Sequence, residues 1–203
     1  MGIANLTDFR KDKRKEIEPS VDYLKDVLKD IIDIEIDVRK QVVDLSTSDD
    51  APAKVARDLV EDKSLPRSKQ MQRVHMSMYK HNDLANKVNL SVLPLVTEMY
   101  GDAQSVVNNT KLELMNDQLF NRLTSSNAER EREVNFILMH LQTAFNKIDM
   151  KYKNIKNYIK HIDDQSHYLS KLDAMIRLQQ KISESADYEG MMGRAGEIRE
   201  ANI

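Results

Sequence analysis

The sequence predicts an all-α protein: an elongated helical bundle, built on an antiparallel coiled-coil hairpin of two long helices with a third, N-terminal helix packed alongside. Three observations predict it. Of 203 residues, 32% are charged and 5% aromatic, with no cysteine or tryptophan, five glycines and four prolines, a composition that favours long helices over a sheet. Apolar residues recur at alternating spacings of three and four along two long stretches, which is the pattern of a coiled-coil seam. The polar connection between them, residues 124–127, is short enough to force the two helices antiparallel.

The elements follow in chain order. Residues 1–18 read as a basic N-terminal arm, with Arg10, Lys11, Lys13, Arg14 and Lys15 clustered together. Pro19 and Ser20 then open a helix over about residues 20–46, since proline is tolerated at a helix start. Its seam is Val21, Leu24, Leu28, Ile31, Val38, Val42 and Leu45, interrupted by Glu35. Residues 32–38 also alternate apolar and polar, the period of a half-buried strand, so helix and strand compete there. Helix is favoured because the longer repeat continues on both sides. On that reading Val27, Ile34 and Ile36 widen the apolar surface, and more than one neighbour covers it.

A polar break at 46–50 supplies Asp49 or Asp50 as N-cap for a short helix over 51–62. The longest pattern of the first half follows over 68–123: Met71, Val74, Met78, His81, Ala85, Val88, Val92, Leu95 and Met99, then Val106, Leu112, Met115, Leu119 and Leu123. Pro94 removes a backbone donor inside that seam and Gly101 follows it, so a kink is expected near 94–101. Ser126 with Glu129 three residues on has the form of a capping box. It opens a helix over 128–184.

That last helix carries the seam Val134, Leu138, Leu141, Phe145, Ile148, Tyr152, Ile155, Ile159, Ile162, Ser166 and Leu169, after which the phase slips to Leu172, Met175, Ile176, Leu178 and Ile182. At 1.5 Å per residue it is roughly 80 Å long. A compact chain of this length has a radius of gyration near ~17 Å, so the molecule is expected to be elongated. Residues 187–203, with Gly190, Gly193 and Gly196, read as a C-terminal arm after the bundle of residues 19–186.

Charge is segregated although the net value is only −2. Residues 22–62 hold twelve acids against six bases, whereas residues 63–81 hold Lys63, Arg67, Lys69, Arg73 and Lys80 with no acid. Acidic and basic segments can therefore face one another, within one molecule or between copies.

Several classes of chemistry lack their residues. Without cysteine there is no thiolate nucleophile, disulfide or zinc ribbon. No glycine-rich phosphate loop or nucleophile motif occurs. Asp163 and Asp164 lie four and three residues before His167, but the Glu-x-x-His motif of carboxylate-bridged bundles is missing, so a solvated helix face is the preferred reading and no metal or other cofactor is assigned. His81 and Glu35 sit on apolar seams, where buried polar residues set register and where a histidine could give pH sensitivity. No apolar run approaches the length of a membrane span, and the N-terminus lacks the apolar core of a secretory signal. A cytoplasmic or particle-associated location is expected.

The functional expectation is a non-enzymatic structural or scaffolding subunit that self-associates through its coiled-coil surfaces, with itself and other proteins of an assembly as partners and no small-molecule substrate. A virion, a tail or a secretion particle would be such an assembly. The alternative is a helical DNA-binding adaptor, similar in architecture to the small subunits of viral packaging motors, with Lys63, Arg67, Lys69 and Arg73 on phosphate.

Overall fold

Eight α-helices and one π-turn make up the described part of the chain, and the protein is an all-α helical bundle. The computed structural model describes residues 5–61 and 64–200, with side chains as far as residue 187. The helices are α1 (Leu6–Glu16), α2 (Glu18–Thr47), α3 (Pro52–Glu61), α4 (Arg67–Lys87), α5 (Leu93–Asn116), α6 (Gln118–Leu123), α7 (Asn127–Ile137) and α8 (Met139–Glu200), with the π-turn Val88–Val92 between α4 and α5. The stretch 32–38 lies inside α2, so the longer apolar repeat prevails over the local alternation. Ile36 is nevertheless 58% exposed and does not widen the buried face.

Both expected arms differ from the sequence reading. Most of the N-terminal segment is helix α1, capped by the Asn5 side chain on the Asp8 N–H. Phe9 is what anchors it, since its ring is fully buried and stacks on Phe120 with centroids 5.2 Å apart. At the other end α8 runs on to Glu200, so the glycines at 190, 193 and 196 do not stop the helix near residue 184 as expected. Residues 201–203 lie outside the described ones.

The Pro94 irregularity takes a specific form. The Leu93 N–H reaches Val88 O, five residues back, and the π-turn that results immediately precedes the proline in the first turn of α5. One extra residue per turn advances the seam by one position. Hence Val96 and Ala103 are fully buried, with Thr110 and Leu114 nearly so, while Leu95 and Leu112, which the uninterrupted repeat placed inward, stand 49% and 59% exposed.

Helix ends explain the remaining breaks. Asp117 leaves α5 in an extended conformation and accepts hydrogen bonds from the Leu119 and Phe120 N–H groups at 2.9 and 3.1 Å, capping α6 and dividing the expected helix 68–123 once more. Ser126 caps α7 by accepting from Glu129 N at 3.2 Å, and the Glu129 carboxylate returns to the Ser125 N–H and hydroxyl. This is the expected capping box with its reciprocal bond shifted by one residue. Those bonds hold the Glu129 carboxyl below its ordinary pKa. Leu138, fully buried, interrupts α7 and α8 for a single residue. Asp49 and Asp50 do not cap α3; their carboxylates pair with Lys54 and Lys80 instead.

The chain divides into two compact units, residues 1–40 with 87–158 and residues 41–86 with 159–203. In the first, α5 runs antiparallel to the start of α8: Tyr100 stacks on Tyr152 with centroids 4.5 Å apart and meets Phe145, while Thr97 lies 3.4 Å from the Tyr152 hydroxyl. Burial and the nearby Asp149 carboxylate push the Tyr100 phenol pKa up. In the second unit Val55 of α3, Val74 of α4 and Leu169 and Ile176 of α8 form the core, with Leu59, Met71, Met78 and Leu172 packed around it.

Candidate functional surfaces

The seam expected to join copies is core. Val134, Leu138, Leu141, Ile148 and Ile155 are buried in the first unit and Ile159, Ile162 and Leu169 in the second, with Phe145 and Tyr152 half-buried. Neighbouring helices of the same chain cover them. These positions are not available to a second copy.

Each unit encloses one of the two ionisable seam residues that the sequence singles out, and the two are satisfied differently. Glu35 of α2, 6% exposed, accepts from Lys151 Nζ at 2.6 Å and from Asn154 Nδ2 at 2.9 Å, so both carboxylate oxygens are bonded. His81 of α4 is fully buried and stands 2.9 Å from Ser77 O through Nδ1 and 2.8 Å from the Gln165 side chain through Nε2. Gln165 in turn lies 2.7 Å from Nε2 of His161, which faces solvent. Ser77 O can only accept, so Nδ1 of His81 carries a hydrogen. With the Gln165 oxygen toward His81, Nε2 must carry one too, giving an imidazolium; with the amide turned over, a neutral ring accepts from the Gln165 NH2 and His161 donates to the oxygen.

The basic segments are largely committed within the chain. Arg10 pairs with the buried Glu133 at 2.5 Å, and Arg14 donates to Phe136 O at 2.9 Å while lying 4.2 Å from the centre of the Phe136 ring. Burial works against the charge on Lys13, but hydrogen bonds to Glu16 and Asp117 outweigh it and raise its pKa. Of the four expected phosphate contacts, Arg73 is bound to Asp58, Arg67 and Lys69 are exposed, and Lys63 lies outside the described residues. Lys80 is bound to Asp50.

A surface that the seam analysis missed lies on α8. Tyr168, Met175, Leu178 and Ile182 are spaced seven, three and four residues apart and are all exposed, Ile182 to 61%. On a helical wheel they cluster roughly 120° from the buried positions Leu169, Leu172 and Ile176. The sequence signal was present as the phase slip after Leu169. Read as one bent seam it is in fact two, with Ile176 and Leu172 turned inward and the other three residues of the slip turned outward. Lys171 completes the same stripe.

Among the described residues no three His, Asp or Glu side chains gather as a metal site would require, and no helix is long and apolar enough to cross a membrane. Asp164 lines a cavity of about 350 Å³ with Ser46, Ala53, His161, Gln165 and Tyr168. Comparisons with protein-family models, curated proteins and solved structures return no match.

Proposed function

We propose that this chain is a non-enzymatic structural or scaffolding subunit that self-associates through helical surfaces inside a larger assembly, such as a virion, a tail or a secretion particle. The observation that carries this reading is the outward stripe of Tyr168, Met175, Leu178 and Ile182. Apolar side chains at coiled-coil spacing on a helix face that its own bundle leaves uncovered are the form of surface another helix packs against. Buried hydrogen-bonded groups elsewhere, at Glu35 and His81, serve register within the units rather than chemistry at an open cleft.

Sedimentation velocity over a hundredfold concentration range tests it, because mass and frictional shape come from one experiment. Growth of the sedimenting species with concentration is expected. A monomer throughout that range overturns the reading. The DNA-binding alternative retains Arg67 and Lys69 as exposed bases, and a salt-dependent shift of duplex DNA mobility that the Arg67→Ala, Lys69→Ala variant loses would favour it.

A further inference from the structure

We propose that the outward stripe of α8 docks on the acidic outer face of α2 of a second copy, a head-to-tail contact that propagates from chain to chain. The inference rests on the self-association reading above and names its surfaces. The argument is one of unused complementarity, since each copy displays both halves.

The first half is the α8 stripe. In sequence Lys171 and Lys181 bracket Met175 and Leu178, and neither has an ion-pair partner among the described residues, whereas the nearby acid Asp173 is turned to His75 and Arg177 at 2.9 and 2.8 Å. The stripe is therefore apolar and positively charged. It extends about 21 Å from residue 168 to 182, with the two lysines about 15 Å apart.

The second half is α2. Its inner face is spent on Val21, Leu24, Val27, Ile31, Glu35 and Val38. The outer face shows Asp22, Asp26, Asp30 and Asp33 over about 17 Å, followed by the exposed Ile36. Asp22 is taken by Lys25 at 2.6 Å, and the other three acids have no ion-pair partner among the described residues. Asp26, Asp30 and Asp33 share a helix face at spacings of three and four with Lys29 exposed beside them, so the face is net acidic and suits a cationic partner. Laid along this face, α8 brings Lys171 and Lys181 to these aspartates and one end of its apolar stripe to Ile36.

Different patches meet in this contact, so it is heterologous, and each docked pair leaves one face of each kind free. It builds a ring where the rotation closes and a filament where it does not. Exposed opposite charges screened within about 10 Å at 0.1 M salt make the association sensitive to ionic strength.

Two charge-reversal variants test the pairing: Lys171→Glu with Lys181→Glu, and Asp26→Lys with Asp33→Lys. All four positions are exposed, and circular dichroism with thermal unfolding establishes that both variants fold like the parent. In sedimentation velocity each variant alone is expected to associate at least roughly tenfold more weakly than the parent, and an equimolar mixture is expected to recover association as alternating copies. Recovery in the mixture is specific to this pair of faces. A parent that associates while both variants do so equally well, or while the mixture fails to recover, overturns the docking proposal and leaves the scaffolding reading standing. A monomeric parent at low salt overturns both.

Discussion

Glu35 and His81 occupy equivalent situations, each a polar residue on an otherwise apolar seam, yet the two units satisfy them by different chemistry. Around Glu35 the charge is kept and matched by an opposite charge and an amide donor. Around His81 the partners are a backbone carbonyl and a side-chain amide, neither of them charged. The first arrangement depends on a fixed ion pair. The second uses neutral hydrogen-bond partners alone. Seam position alone does not determine what a buried polar residue costs; the donors and acceptors on facing helices do.

The comparison is broken most severely by Glu35→Ala. Lys151 and Asn154 then lose their acceptor in a half-buried site, and a loss of about 3–5 kcal/mol is expected in urea unfolding. Replacing Glu35, Lys151 and Asn154 together with leucine sharpens the point, because removing both charges leaves no unpaired ion. That variant is expected to be neutral or more stable by about 1–4 kcal/mol. His81→Leu is expected to cost less, about 1–3 kcal/mol, since the partner it orphans is a neutral amide. Nitrogen-15 NMR of the parent checks the hydrogen-bond arrangement directly: Nδ1 of His81 is expected to bear the hydrogen that reaches Ser77 O.

Much of this was legible beforehand, and the exceptions have local causes. The seam from Val134 to Leu169 reads correctly because the one-residue break at Leu138 between α7 and α8 does not shift the period of the buried positions. The seam that begins at Met71 reads correctly through α4 to Val92 and falls out of phase in α5, because the extra residue of the π-turn has no signature other than Pro94 itself. Helix α1 was hidden by its charge, since only Leu6 and Phe9 announce an apolar side and its bases find acceptors far along the chain, such as Glu133. The outward α8 stripe was hidden by proximity to the inward one. Periodicity shows that apolar residues continue but not which of two faces a neighbour covers.

A smaller effect carries the comparison from the cores to the helix caps. Asp117 combines the α6 cap with an ion pair to Lys13 at 3.2 Å. Burial alone would raise its carboxyl pKa, but the Phe120 N–H and Lys13 outweigh burial and hold it below the ordinary value. Asp117→Ala is expected to lower stability by about 1–2 kcal/mol, most of it through the lost cap. The matching Lys13→Ala change is expected to have the lesser effect.

The smallest effect comes from Asp173, the rim counterpart in the second unit. Burial would push its carboxyl up, while hydrogen bonds from Arg177 and His75 prevail and set it below the usual aspartate range. A group whose folded pKa lies below its unfolded value, about 3.9 for aspartate, adds stability above that value and loses it as pH falls through the folded pKa. The contribution is therefore complete at neutral pH and disappears only in strong acid. Because Arg177 and His75 are about half exposed, solvent screening limits the loss in Asp173→Asn to a few tenths of a kcal/mol up to about 1 kcal/mol at pH 7. Urea midpoints of parent and variant measured from neutral to acid pH should converge toward the low end. A gap that stays constant would place the role of Asp173 in packing rather than in its charge.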